Sequence, residues 1–127
     1  MRELARMHPE HSRERELADD VLNIGQSRWR CCRDFDGAAR DLRDALDRFE
    51  RLRAADPRNL EAKRDVGNAR DALAIVLAEA GRGDEALAAS RAAIETFEDL
   101  VRADPANREN TEMLAQARAR IAPSQTK

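Results

Sequence analysis

The sequence has few of the residues that build β-sheets and aromatic cores. Its 127 residues include no tyrosine, one tryptophan and three phenylalanines. No segment is rich in valine, isoleucine or threonine, so β-strands are not expected. Alanine, leucine, arginine and glutamate are abundant instead, and these residues favour helices. Hydrophobic residues make up 42% of the chain, which is typical of globular proteins and argues against disorder. The composition therefore predicts a folded, all-α protein.

Other absences limit where the protein works and what it binds. No apolar run is long enough to cross a bilayer, and the N-terminal segment lacks the apolar core of a signal peptide. The net charge is −2, with both signs mixed along the chain, so neither nucleic acid nor a membrane is an expected partner. The only cysteines, Cys31 and Cys32, are adjacent and cannot join distant segments. These features predict a cytoplasmic protein.

Motifs for catalysis are lacking too. No glycine-rich loop follows a strand pattern, so no phosphate-binding loop is expected. No Ser-His-Asp arrangement has local support, and the carboxylates lie among arginines and lysines at helical spacing, as on a solvated face. We therefore predict that the protein is not an enzyme and that it has no cofactor and no metal site.

Two clusters leave alternatives open. His8 and His11 flank Glu10, but no further ligand completes a four-ligand metal site, and a turn between repeats is the other interpretation. Cys31 and Cys32 are closer in sequence than the thiols of usual redox motifs. The repeat described next predicts that Cys32 is a small core residue and Cys31 is partly exposed. A remote alternative function is a small metal- or thiol-dependent protein that uses both clusters.

An internal repeat is the strongest feature of the sequence. Pro9, Pro57 and Pro105 recur every 48 residues, and two of them lie in the related phrases RLRAADPRN and DLVRADPAN. When residues 33–59 are aligned with residues 81–107, 11 of 27 positions are identical. A fixed period in this range indicates an array of supersecondary units.

Each repeat has the pattern of two helices. Apolar residues recur at helical spacing from Asn59 to Ala80, and Gly81 is expected to end that helix. Asp84 is predicted to cap the second helix. That helix should stop before Pro105, because a residue that precedes proline avoids helical geometry. The conserved spacing also predicts capping by Asn59 and its equivalent in the next repeat, Asn107.

We predict one repeat domain that spans residues 1–127. It begins with the end of a preceding repeat at residues 1–11. Repeat 1 spans residues 12–58, with a first helix from about Ser12, and repeat 2 spans residues 59–106. A lone final helix is expected at residues 107–122 and a disordered tail at residues 123–127. Phe49 and Phe97 share one repeat position, which predicts equivalent buried sites between hairpins. Trp29 aligns with Leu77, which favours core packing.

These units resemble the tetratricopeptide repeat family, whose pattern is W-x2-L-G-x2-Y, then A-x3-F, then P. The matching positions of repeat 1 are Leu22, Gly25, Gln26, Trp29, Ala38, Leu42 and Pro57. Those of repeat 2 are Arg70, Leu73, Ala74, Leu77, Ala86, Ser90 and Pro105. The family period is about 34 residues, so each helix here is longer by about two turns, which keeps the apolar stripe in register. Such long-helix repeats are similar to arrays attached to bacterial signalling ATPases and protein kinases.

The resemblance implies antiparallel helical hairpins stacked as a short right-handed α-solenoid, whose first helices line a concave face. It implies a non-enzymatic scaffold for protein–protein interaction within a larger bacterial signalling or regulatory protein. The groove positions implied for a protein or peptide partner are Asp20, Asn23, Ser27, Arg30, Asn68, Asp71, Ile75 and Glu79. Because few of these are basic, a mixed or basic peptide suits them better than a C-terminal carboxylate. The alternative is a structural or self-association spacer without a peptide groove.

Both ends of the array are expected to expose apolar surface. The final helix has no second helix after it, and the first residues are the remnant of a helix. Large exposed apolar patches usually mark interfaces, so we expect a homo-oligomer through one or both ends, or a longer protein that covers them. The residues concerned are Leu4, Met7, Leu114, Ala117 and Ile121.

Overall fold

Five α-helices follow one another along the chain. The computed structural model describes residues 9–125, and the side-chain surroundings of residues 12–121. The helices are α1 (Pro9–Cys32), α2 (Phe35–Ala55), α3 (Leu60–Glu79), α4 (Gly83–Ala103) and α5 (Arg108–Gln125). Helix accounts for 88% of the structure, and the described residues contain no strand. The prediction of an all-α fold is therefore confirmed.

The helices form a stack of hairpins. Each helix packs against the next one along the chain, and α1 also contacts α3. The connections between helices are short, which is typical of antiparallel neighbours. Among the described residues, no helix is long and apolar enough to cross a membrane.

The turn between α3 and α4 follows the sequence prediction. Gly81 has a φ of 82°, and the Arg82 N–H donates to the carbonyl of Leu77 at 2.9 Å, as in a glycine-terminated helix. The equivalent residue after α1 is Arg33, and it has a φ of 55°. The first hairpin thus makes a similar turn without glycine.

Asparagine side chains cap two of the first helices, as predicted. Asn59 accepts a hydrogen bond from the Ala62 N–H, and Asn107 accepts one from the N–H of Asn110, both at 3.1 Å. These bonds satisfy N–H groups that have no acceptor within the helix.

The predicted cap at Asp84 is wrong. Helix α4 begins at Gly83, and the cap residue Arg82 makes no side-chain capping bond. Asp84 lies in the first helical turn, where its negative charge favours the positive end of the helix dipole. The chain re-enters the helix directly after the Gly81 turn, two residues earlier than an Asp84 cap would require.

Two helix ends also differ from the prediction. Helix α1 begins at Pro9 rather than near Ser12, which suits proline because the first N–H of a helix has no intrahelical acceptor. Helix α5 continues through Gln125, so the predicted tail at 123–127 is wrong for residues 123–125. His8 lies outside the described residues.

Two phenylalanines occupy equivalent sites between hairpins, as the repeat predicts. Phe49 is 1% exposed and packs in one cluster with Ala18 of α1 and Val66 of α3. Phe97 is fully buried in the corresponding cluster between α4 and α5. The ring of Phe97 also lies against the backbone of Gly67, where an added Cβ would approach the ring at 2.9 Å.

The apolar stripe of α5 is buried, which corrects the prediction of an exposed C-terminal end. Leu114 is 7% exposed and Ala117 is 1% exposed, and both pack on α4 near Phe97. The equivalent positions in α3, Val66 and Ala69, likewise pack on the preceding helix α2, not on a following helix. The stripe therefore needs no later helix to cover it.

Of the three remaining residues predicted to mediate self-association, the structure describes only one. Ile121 is half-buried, so it presents little free apolar surface. Leu4 and Met7 lie outside the described residues.

Candidate partner-binding surface

The predicted groove positions on α1 are all exposed. They are Asp20, Asn23, Ser27 and Arg30. Because they recur at intervals of three or four residues, they lie along adjoining parts of one side of the helix. A partner can reach every one of them.

The predicted groove positions on α3 are less accessible. Glu79 is exposed, and Asn68 and Ile75 are half-buried. The Asn68 Oδ1 atom is buried and has no hydrogen-bond partner among the described residues. An unpaired buried oxygen costs free energy, so this part of α3 offers no accessible acceptor to a partner.

Asp71 is not a groove residue, and the prediction that it lines an exposed groove is wrong. Its side chain is 8% exposed. The two guanidinium nitrogens of Arg120 donate to its two carboxylate oxygens at 3.0 and 2.8 Å. Burial raises the pKa of Asp71, while the positive charge of Arg120 opposes that rise. The register of α5 against α3 creates this pair, and residue spacing within α3 does not reveal it.

Similar ion pairs join the first helices of successive hairpins. The Nε of Arg15 on α1 donates to Asp65 of α3 at 2.7 Å, and Arg15 also lies 3.4 Å from Glu61. Arg64 of α3 pairs with Glu109 of α5. Sequence analysis missed these residues because every helix is densely charged, and only the helix register selects the pairs.

The ion pairs change how the predicted groove is interpreted. Between α3 and α5, the opposing charges of the first helices already neutralise one another. On α1, by contrast, the predicted positions remain exposed. The candidate surface for a partner is therefore on α1 and not between α3 and α5.

An apolar patch accompanies the polar residues of α1. Leu17 is 50% exposed and Ile24 is 51% exposed. These two residues are two helical turns apart, and Asp20 and Ser27 continue the same side at helical spacing. We call the set Leu17, Asp20, Ile24 and Ser27 the outer face of α1.

The repeat shows what this outer face corresponds to. Leu17 is equivalent to Asp65, which pairs with Arg15 of the preceding hairpin. Ile24 is equivalent to Ala72, which is buried in a cluster with α2 residues that include Leu42. In α3 these positions thus contact the hairpin before it. The sequence alignment also pairs these positions of α1 and α3. It does not show that a neighbouring helix packs on the position in α3 and leaves the equivalent position in α1 exposed.

The two cysteines are also placed differently from the prediction. Both Cys31 and Cys32 are exposed, so the expected core position of Cys32 is wrong. Helix α1 ends at Cys32 and the chain turns at Arg33, which leaves this end of the helix uncovered. Trp29 is half-buried and packs against the cluster that contains Leu42, in agreement with a packing role.

The described residues contain no group of three or more metal-ligating side chains close enough to hold an ion. The side chain of His11 lies outside the described part of the chain, as does His8. The described side chains therefore do not test the alternative that these two histidines bind a metal.

Comparison of the sequence with protein-family models gives no match, and searches of curated proteins and of solved structures give no match either.

Proposed function

We propose that this protein is a non-enzymatic helical-repeat scaffold for protein–protein interaction, and that its partner packs an amphipathic helix on the outer face of α1. The observation that carries the proposal is the exposure of Leu17 and Ile24 at about half of their surface. The rest of the proposal comes from the sequence: a tetratricopeptide-like array, a cytoplasmic location and a place in a larger bacterial signalling or regulatory protein.

The chemistry of the outer face specifies the partner. Two apolar side chains two turns apart suit a helix with apolar residues at the same spacing. Asp20 beside them favours a basic residue on the partner, and Ser27 can accept or donate a hydrogen bond. Ala72, the α3 equivalent of Ile24, packs against α2, so a helix is the occupant that this surface is shaped to receive.

A peptide of residues 34–56, which contains α2, is the first probe because α2 covers the equivalent face of α3. We expect the labelled peptide to bind the full chain in a fluorescence anisotropy titration. The substitutions Leu17→Asp and Ile24→Asp should each weaken binding about tenfold, since burying such a side chain contributes about 1.5–3 kcal/mol.

The matched control is Leu60→Asp. Leu60 is 40% exposed but lies at the start of α3, outside the outer face, so its replacement should leave peptide binding unchanged. All three variants should keep the thermal midpoint of the parent chain. Absence of peptide binding, or an equal loss in the Leu60 variant, would contradict the proposed surface.

The second candidate is a structural spacer without a peptide groove. The pairing of Asp71 with Arg120 and of Arg64 with Glu109 favours it, because these pairs occupy the face on which a groove was expected. The two candidates differ at Asp20, which is exposed: the charge reversal Asp20→Lys weakens binding only if a partner uses the outer face of α1.

A further inference from the structure

Cys31 and Cys32 form a pair of thiols at the surface. They are the last two residues of α1, both are exposed, and they are the only cysteines in the chain. The two thiols are in contact. Neighbouring side chains on a helix diverge by about 100° around the axis, so this contact requires both side chains to turn towards each other.

The geometry of the pair excludes several uses. A structural zinc site needs four ligands, and the described residues bring no third or fourth ligand to these sulfurs. A disulfide between adjacent residues is disfavoured in a helix, because their Cα atoms are about 3.8 Å apart whereas disulfides usually need about 4.4–6.8 Å. Metal ions that bind two thiolates in a linear arrangement are also excluded, because they need one sulfur on each side of the metal and these two sulfurs lie side by side.

A pyramidal centre that bridges two close sulfurs does suit this arrangement. Trivalent arsenic with one carbon substituent needs two further bonds, which two thiols can supply. Inorganic arsenite would use three thiols, and this chain has only two. We propose that Cys31 and Cys32 constitute a binding site for monosubstituted trivalent arsenicals of the type R–As=O.

The binding step is a condensation. The two arsenic–oxygen bonds and the two S–H bonds break, two arsenic–sulfur bonds form, and the oxygen leaves with both thiol protons as water. Arsenic remains trivalent, so no oxidant or reductant takes part. The hydrogen bond with Cys31 raises the pKa of Cys32, so the Cys32 thiol gives up its proton as the arsenic–sulfur bond forms, and the departing oxygen takes that proton.

The surroundings leave room for the substituent R. Cys31 lies two helical turns beyond Ile24 on the same side of α1, and Ile24 is 51% exposed. Arg28 is held by Asp41 at 2.7 Å and by Asp34 at 3.4 Å, so it does not cover the sulfurs. A substituent as large as a phenyl ring can therefore be accommodated beside the dithiol.

The test uses the full chain and phenylarsine oxide, with intact-mass spectrometry as the readout. The parent chain should gain one phenylarsenic group and retain it during washing with excess monothiol, and a dithiol should remove it. Closing a ring through both sulfurs should strengthen retention about 100-fold or more relative to one sulfur. Cys31→Ser and Cys32→Ser should therefore both lose the group under the same wash.

Three results would overturn the inference. These are failure of the parent chain to bind, retention by either single-serine variant equal to that of the parent chain, and cross-linking of two chains by one arsenical. Far-ultraviolet circular dichroism provides a second check, because the bridge must fit the helical pair. The helical signal should be unchanged on loading, and unwinding would contradict the proposed geometry.

Discussion

Arg33 adopts a backbone conformation that an arginine disfavours. Its φ of 55° lies in the left-handed region, which costs a non-glycine residue about 1–2 kcal/mol. The same turn in the next hairpin uses Gly81, whose φ is 82°. The Arg33 guanidinium lies 5.4 Å from the ring centre of Phe35, and this contact offsets part of the cost.

Replacing Arg33 should separate these two effects. Both Arg33→Gly and Arg33→Ala remove the contact with Phe35, but only the glycine variant also relieves the backbone strain. We expect the glycine variant to be more stable than the alanine variant by about 1 kcal/mol in urea unfolding. Equal stability of the two variants would show that the left-handed turn is not maintained in solution.

Arg120 offsets the cost of burying the carboxylate of Asp71. Because burial raises the pKa of Asp71, the folded state holds a proton more tightly than the unfolded state. The charged carboxylate therefore lowers stability at neutral pH, and this cost is lost as the pH falls through the folded-state pKa. Removing Arg120 should increase the cost at neutral pH.

We expect Arg120→Met to reduce the free energy of unfolding by about 2 kcal/mol at neutral pH and by less at about pH 4. Arg118→Met is the matched control, because Arg118 lies on the same helix as Arg120 but pairs with Glu98 of α4, and its side chain is 57% exposed. The control should change stability by about 0.5 kcal/mol or less. Urea unfolding of both variants at the two pH values measures this difference, and an equal loss at both pH values for Arg120→Met would contradict it.

At the scale of elements, the docking of α5 depends on one stripe of small and apolar residues. Ala117 is 1% exposed and packs towards Phe97, whereas Ala115 lies on the same helix and is exposed. Ala117→Asp would bury a carboxylate without a partner, which is strongly unfavourable. Ala115→Asp would place the same group in water.

The two alanine substitutions thus provide a matched pair. Ala117→Asp should detach α5 and lower the helical signal in circular dichroism. Ala115→Asp should leave the signal unchanged and shift stability by about 0.5 kcal/mol or less. If both variants behave alike, α5 does not pack on α4 through the stripe that contains Leu114 and Ala117.

At the scale of the whole molecule, stability should decrease from the centre of the stack towards its ends. Helix α3 packs on α2 and α4 and is joined by ion pairs to both α1 and α5. Helix α5 packs mainly on α4. In repeat arrays each unit is stabilised by its neighbours, so a helix with fewer neighbours opens more easily.

Amide hydrogen exchange should therefore be slowest in the middle of α3 and faster in α5. We expect the α3 amides to exchange only with global unfolding, and the α5 amides to exchange through a lower-energy opening. Mass spectrometry of peptic fragments can resolve the two helices. Uniform protection across α1 to α5 would show that the described stack unfolds as one cooperative unit.

Much of the fold was predictable from local sequence. The 48-residue period, the caps at Asn59 and Asn107, the stop at Gly81 and the shared burial of Phe49 and Phe97 all agree with the structure. These features depend on residues close in the chain or on periodicity, because caps, turns and apolar stripes are set within a few residues.

The surface was less predictable, since it depends on how helices meet. Sequence analysis placed Asp71 in a groove, Cys32 in the core and Leu114 on a free end, and the structure reverses each placement. The sequence by itself determined where the helices are and which stripe of each is apolar. Only the tertiary structure decided which charges pair and which faces stay open, because those outcomes depend on the register between helices that are distant in the chain.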